Sequence, residues 1–382
     1  MVIGLITVFA ISPALAASNN VSDNYYVSKQ LIAIALGVAA FIVVGNIRPS
    51  AWRKAEKPLI ISAVVASVLV RLLGEQVNGA YRWVQVAGFS FQVAELIKFA
   101  LVIWLAGFLA NRIQEGTLQD WNKTLKPLLM ALAIIGVLVA VLQSDLGSAA
   151  VMVSIMSAMV FVAGMPMKKV LLVGAVVLIG VFMAISTSAY RRSRVETFLN
   201  PTADCQGAGY QSCQALIAVG SGGMFGLGLA RSVQAYGYLP EAANDSIFAI
   251  YAEKFGFLGS AFLIGLFVAL FARIMKIFER SPDDYMRLLV AGVLAWLSTQ
   301  AIINIGAMVG LLPLKGITLP FISYGGTSLL FVGAAVGLVF AVSRYTNFRI
   351  SLEVKGKVPS HEGSSGRRGQ RGAYYTPSGR RS

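Results

Sequence analysis

Runs of about 20 apolar residues recur from near the first residue to residue 345, separated by short polar breaks, and each is long enough to cross a hydrocarbon core of roughly 30 Å as a helix. In lipid, every backbone polar group must be paired within the chain, so a repeat of this kind specifies a bundle of helices. The spans are predicted near 3–17, 29–46, 58–74, 94–111, 127–143, 147–165, 168–187, 247–275, 287–310 and 325–345. The expected fold is therefore all-α: a polytopic integral membrane protein of about ten transmembrane helices, with a large extracytoplasmic loop, 188–246, between the seventh and eighth. Composition agrees, because 57% of the 382 residues are hydrophobic and only 13% charged, more apolar surface than a soluble core can hide.

Basic residues orient the bundle, since loops rich in Lys and Arg stay in the cytoplasm. Arg48, Arg53, Lys54 and Lys57, then Arg112, Lys123 and Lys126, then Lys168 and Lys169, then Arg273, Lys276, Arg280 and Arg287 mark alternate loops as inside. Both termini are then expected in the cytoplasm. The tail 347–382 is low-complexity and basic, and reads as a disordered arm near anionic headgroups. The domain boundary is placed at 346. The net charge of +15 follows largely from this topology, so nucleic acid is not an expected partner. Pro13 to Ala17 has the form of a signal peptidase site, yet no Lys or Arg precedes it, and the run is read as a span. Arg191, Arg192, Arg194 and Arg231 lie outside, against the charge rule, and favour an anionic ligand held there.

The only histidine, His361, sits in the tail, which excludes a Ser-His-Asp triad in the membrane and leaves acid-base work to carboxylates. The two cysteines, Cys205 and Cys213, fall in the outside segment, where both a bridge and free thiols are open.

Four groups of polar residues sit where an apolar solvent penalises them. Gln92, Glu95 and Lys98 repeat every third residue after Arg82-Trp83, which puts them on one helical face with Glu95 and Lys98 able to pair; a packing lock and a functional group both fit, and Arg82-Trp83 also suits an interfacial anchor. Asp145, in Ser144-Asp145-Leu146-Gly147, is either a helix N-cap or a site residue. The outside segment contains Tyr210-Gln211, the glycine run Gly220-Ser221-Gly222-Gly223-Met224-Phe225-Gly226-Leu227-Gly228, and Leu239-Pro240-Glu241. Glycine-rich backbone can approach an anion and arginine forks suit phosphate, though a flexible linker has the same composition. At its end Asp245 is placed as N-cap of the eighth helix, as a general base at the membrane surface, or both. Finally, the run from Pro313 to Ser328, after Gln300 and Asn304, has two prolines and repeated glycines that forbid a simple helix and suggest a re-entrant turn lining a cavity, with Lys315 outward.

At these residues the chain resembles the SEDS family (shape, elongation, division and sporulation), the FtsW and RodA membrane proteins of the bacterial cell wall. The likeness covers nearly all of the span region and includes Arg82-Trp83, Gln92, Glu95, Lys98, Asp145-Leu146-Gly147, Tyr210-Gln211, Gly220 to Gly223, Leu239-Pro240-Glu241, Asp245, Gly256 and the Pro313 to Ser328 run. The form Leu314 to Pro320 looks more like the FtsW branch than RodA. The resemblance implies a glycosyltransferase that polymerises lipid II into glycan strands at the outer face of the cytoplasmic membrane during division. It implies Asp245 as general base on the acceptor 4-hydroxyl, with undecaprenyl pyrophosphate leaving. A lipid II flippase and an inactive division scaffold are the alternatives. Candidate substrate contacts are Arg82, Trp83, Gln92, Glu95, Lys98, Arg191, Arg194, Gln211, Ser221, Ser232, Lys315 and Ser323, with Arg191, Arg194, Lys98 and Lys315 as cations for the pyrophosphate. The family also implies a divalent cation, Mg or Mn, for which no ligand cluster is legible, and implies a class B penicillin-binding protein and other division proteins as partners. The chain departs from the family's common pattern at Val93-Ala94, Ser144, Ala243, Ser246 and Lys254, where proline-serine, proline, histidine, an aromatic and glutamate are usual.

Overall fold

The computed structural model describes residues 1–77, 80–86, 89–186, 189–200, 204–207, 209–229 and 231–346. The tail 347–382, with His361, and the side chains of Arg191 and Arg194 lie outside the described residues. The chain begins with α1 (Val2–Asn19), α2 (Tyr25–Asn46) and α3 (Pro49–Leu73), followed by β1 (Glu75–Val77), β2 (Ala80–Val86) and β3 (Phe89–Gln92). After α4 (Val93–Gln114), α5 (Lys126–Ile135) is flanked by π-helical turns at Trp121–Leu125 and Gly136–Leu142. Next come α6 (Leu146–Val162), α7 (Met167–Ser186), α8 (Ala189–Leu199), α9 (Tyr210–Ser221), α10 (Ile247–Glu279), α11 (Asp284–Met308) and α12 (Gly326–Ser343).

Every expected span is helical. Among the described residues, seven helical segments, α1, α2, α4, the α5 segment, α10, α11 and α12, are long and apolar enough to cross a membrane, and α6 is a shorter apolar helix. With α3 and α7, of 25 and 20 residues, they make the multi-pass bundle. Helix α4 is its hub: 83% of its apolar window is buried in protein, against 22% for α2 and 17% for α10. The exposed Leu31, Ile32, Ile42 and Val43 of α2 are therefore surfaces for lipid, not defects of a core. Helix α2 meets α12 through glycine, where a Cβ on Gly333 would stand 2.1 Å from the Gly37 carbonyl oxygen, so only glycine permits the crossing.

Two regions differ from expectation. Residues 75–92 form a small antiparallel sheet in the order β1-β2-β3, with Trp83 opposite Gln92 and Val84 opposite Phe91, where only an approach to the fourth span was expected. The segment 188–246 is not all loop, since α8 and α9 lie within it.

The eighth span is also broken. Helix α10 has 33 residues, about 50 Å at 1.5 Å per residue, more than the bilayer core requires. At Gly256 its backbone turns to φ 65°, ψ −163°, a conformation open to glycine, and the helix splits into a short arm and a long one. A break leaves carbonyls on one side and N–H groups on the other without helical partners. The glycine run supplies them: Leu227 N–H donates to Glu253 O (2.9 Å), Gly228 N–H to Lys254 O (3.0 Å), Phe257 N–H to Gly223 O (2.8 Å) and Leu258 N–H to Met224 O (3.1 Å). These backbone groups cap the broken helix, which gives the run from Gly220 to Gly228 a structural explanation in place of an anion loop.

Candidate active site

The short arm of α10 begins beside a cleft of about 620 Å³. Its walls come from β2 and β3 (Arg82, Trp83, Gln85, Ser90, Phe91 and Gln92), α2 (Lys29 and Leu36), the 241–245 segment (Glu241, Asn244 and Asp245), and the run from Gly316 to Thr327 with Leu330 of α12. Asp245 is half-buried there. The helix does not use it as a cap: Ser246 holds the N-cap position, and its hydroxyl donates to Pro240 O (2.9 Å). The carboxylate therefore belongs to the cleft. Arg82 approaches the same point from the sheet, because a Cβ on Gly316 would lie 3.6 Å from Asp245 Oδ2 and 3.7 Å from Arg82 Nη1. The carboxylate and guanidinium are thus no farther apart than the sum of those distances. A side chain at 316 would fill the space between them.

Polar side chains from distant parts of the chain fix this geometry. Asn304 on α11 donates from Nδ2 to both Asp245 O and Ile317 O (2.7 Å each), tying the backbone of the carboxylate to the re-entrant run. Ser323 donates to Asn244 O (2.7 Å) and accepts from Leu319 N–H (2.7 Å), and Tyr324 N–H donates to Ala243 O (2.8 Å). Thr327 donates to Ser90 O (2.7 Å) and accepts from Gln92 N–H (3.2 Å), joining the sheet to the start of α12. Arg82 donates from Nε to Gln143 O (3.0 Å) and from Nη2 to Ser144 O (2.6 Å), so the sheet is clamped to the start of α6. Ser144 has φ 52°, which a proline ring cannot adopt, so the serine permits a turn that the family's usual proline would not. Asp145 is the N-cap of α6, accepting from Ser148 N–H (2.9 Å) and Ser148 Oγ–H (2.8 Å). Burial pushes the Tyr324 hydroxyl above its ordinary pKa, with Tyr25 and Tyr26 adding to the rise, so it remains a neutral donor.

Comparison with known proteins places the whole assembly. The model of the FtsW/RodA/SpoVE family, described as cell cycle protein, matches residues 1–348. The chain belongs to that family. It is 38% identical over 350 residues to the probable peptidoglycan glycosyltransferase FtsW of Saccharophagus degradans, covering 90% of each chain. It is 36% identical over 351 residues to the stage V sporulation protein E of Bacillus subtilis, covering 91% of this chain and 95% of that one. Among solved structures it is similar to one described as the structural coordination of polymerization and crosslinking by a peptidoglycan synthase complex, with TM-score 0.71, 27% identity and coverage of 90% and 97%. Rod shape determining protein RodA of Thermus thermophilus gives TM-score 0.63 at 27% identity, with coverage of 90% and 95%.

Within this FtsW/RodA/SpoVE fold, only some expected contacts meet. Arg82, Trp83 and Gln92 line the cleft with Asp245. Glu95 and Lys98 do not: they form a buried ion pair at 2.7 Å inside the bundle. Lys98 Nζ also donates to Gln300 Oε1 (2.8 Å), which accepts from Trp296 Nε1 as well (2.7 Å), while Gln300 Nε2 donates to Thr318 O (3.0 Å) and Oγ1 (3.1 Å). A glutamine suits this place because its amide accepts and donates at once. Lys98 thus reaches the cleft only through Gln300 and Thr318, and the expectation that it holds pyrophosphate directly is corrected.

Other candidates have separate duties. Ser232 donates to the Glu253 carboxylate, which also accepts from Val233 N–H (2.8 Å) and Gln234 N–H (3.0 Å), and all of this lies away from the cleft. Ser221 donates to Ala218 O (2.9 Å) at the end of α9. Ser323 is a buried staple, as described above. Gln211 donates to Ser246 Oγ (3.2 Å) and lines a smaller pocket of about 220 Å³ with Tyr210, Leu216, Pro240 and Leu314. Lys315 is half-buried over the start of α6, its Cβ 3.2 Å from where a Cβ on Gly147 would sit, and it does not line the cleft. Cys205 and Cys213 are joined as a disulfide at the start of α9. Lys254, where the family commonly has glutamate, is buried and donates to Leu229 O (2.9 Å). Lys29 and Glu241 line the cleft without having been among the candidate contacts, and Asn304, noted only as a polar residue in its span, makes the clip. For Asn304 the signal was present: Gln300 and Asn304 are amides one helical turn apart in an apolar span.

Proposed function

We propose that this chain is a peptidoglycan glycosyltransferase that polymerises lipid II at the outer face of the cytoplasmic membrane, with Asp245 as its general base. The observation carrying the assignment is the cleft itself, where the Asp245 carboxylate and the Arg82 guanidinium approach the same point in a wall that also holds Leu36, Phe91 and Leu330. The acceptor hydroxyl gives its proton to Asp245 as its oxygen bonds the donor's anomeric carbon. The bond from that carbon to the diphosphate oxygen breaks, and its electron pair leaves with the lipid diphosphate. Charge grows on the departing oxygen, so cations at the membrane surface lower the barrier more than a strong acid would. Half-burial of Asp245 and the clip from Asn304 hold the base in place before substrate arrives.

Among the described residues there is no group of three or more His, Cys, Asp or Glu that could hold a metal ion. Asp245 and Glu241, both in the cleft wall, are the residues that would share a Mg or Mn ion with the substrate's phosphates, as Mg sites with few protein ligands do. Bound there, the ion would neutralise diphosphate charge. The alternating basic loops support a topology with both termini in the cytoplasm. A class B penicillin-binding protein is the proposed partner, supported by the likeness to a peptidoglycan synthase complex.

Purified chain, with and without such a partner, should convert lipid II to glycan polymer, and Asp245→Asn should stop it. Polymer from the Asp245→Asn protein at the wild-type rate would overturn the assignment. Lipid II crossing liposomes with no polymer would indicate transport, and partner recruitment with neither activity a scaffold.

A further inference from the structure

Of the cations expected to hold the diphosphate, Lys98 is consumed in a buried ion pair, Lys315 is absent from the cleft wall, and the side chains of Arg191 and Arg194 lie outside the described residues. Arg82 is present, but its Nε and Nη2 are committed to the carbonyls of Gln143 and Ser144. A second cation does line the cleft, and it comes from a helix that no motif drew attention to. Lys29 is half-buried on α2, and its ammonium donates to the Tyr25 hydroxyl (2.6 Å) and lies 4.4 Å from that ring's centre. Tyr25 packs edge-on against Tyr26 (centroids 5.3 Å apart), and Tyr26 against Tyr324 (5.5 Å), which itself lines the cleft. The ladder joins the start of α2 to the re-entrant run and holds the lysine stem against the wall. Seven residues on, Leu36 lines the same cleft, two helical turns or about 10 Å farther along the helix. Leu330 of α12 and Phe91 of β3 add to its apolar lining.

One wall of the cleft is therefore amphiphilic along α2, with a cation near the start of the helix and leucine two turns on. We infer that Lys29 is the diphosphate anchor of the cleft, seating a polyprenyl diphosphate with its phosphates between Lys29 and Arg82 and its first isoprene units against Leu36 and Leu330. The choice of a lipid-linked diphosphate rests on the glycosyltransferase assignment; the placement of the anion rests on the cleft. A neutral lipid gains only the apolar wall, and a soluble diphosphate only the cations, so the two halves together select an amphiphilic anion.

The test uses the full chain in nanodiscs and two probes, undecaprenyl diphosphate and the uncharged undecaprenol. Wild type should bind the diphosphate in preference to the alcohol. Lys29→Met should weaken diphosphate binding by about ten-fold or more, the loss expected for a hydrogen bond to a charged group, and leave the alcohol unaffected. Lys29→Arg should restore most of the preference. Unfolding temperatures without ligand separate loss of binding from loss of fold, and kcat/KM for lipid II should fall in parallel with diphosphate affinity. Lys29→Met protein that is folded and keeps the wild-type preference overturns the inference, as does equal loss for both probes. If wild type binds the diphosphate through Lys29 but makes no polymer, the enzymatic assignment fails and the anchor stands. If it makes polymer with unchanged dependence on lipid II in Lys29→Met, the anchor fails and the enzyme stands.

Discussion

The buried cluster on α4 and α11 and the cleft around Asp245 are built from the same kinds of side chain, yet they differ in what completes them. In the first, Glu95, Lys98, Gln300 and Trp296 satisfy one another within the bundle, and the ion pair is almost wholly screened from solvent. In the second, two carboxylates, Asp245 and Glu241, a guanidinium and an ammonium line a space of about 620 Å³ that a substrate can enter. Charge inside a membrane protein is thus not itself a mark of chemistry. A pair completed by protein stabilises an arrangement, whereas a set that lines an open volume can act on a ligand.

Five substitutions break or sharpen this contrast. Asp245→Asn should have the largest effect, a fall of about 10²- to 10⁴-fold in polymer formation, as for removal of a general base, with thermal unfolding unchanged. Lys98→Met should act oppositely: it leaves Glu95 buried without its cation and should cost about 3–5 kcal/mol of stability, read as a lower unfolding temperature. Pairing it with Glu95→Leu should recover most of that loss, and a Lys98→Met protein of normal stability but no activity would erase the contrast. Asn304→Leu tests the link between the two regions, because it removes the donor to Asp245 O and Ile317 O. We expect a loss of about 1–3 kcal/mol, with a lower kcat and little change in KM. The smallest effect is expected from Asp145→Ala, which removes the cap of α6 at about 1 kcal/mol and should leave kcat intact.

The bundle was legible because its signal is local. Each span is a run of apolar residues whose backbone can pair only within its own helix, so helices form wherever the run is long enough. The polar interruptions were legible as exceptions, and Glu95 with Lys98 could be paired from a spacing of three. The sheet of residues 75–92 was not, since its strands, of 3, 7 and 4 residues, are too short to carry a clear alternating pattern, although they pair with their immediate neighbours in sequence. The glycine run left an anion contact and a flexible linker both open. Backbone freed by glycine can meet an anion or another backbone, and its composition does not say which; here Leu227 and Gly228 meet the carbonyls at the break in α10.

By itself the sequence determined where the apolar helices lie, the irregular run from Pro313 to Ser328, and the candidate carboxylate at 245. Only the tertiary structure decided which charges face one another. Lys98 and Gln300 are 202 residues apart, and Asn304 reaches Asp245 across 59. Lys29 enters the cleft wall because the α2–α12 glycine crossing and the tyrosine ladder bring α2 beside Tyr324. The division follows from range: hydrophobic burial in lipid acts on each segment separately, while a hydrogen bond or ion pair needs both partners within about 3 Å, a distance set only when the helices have packed.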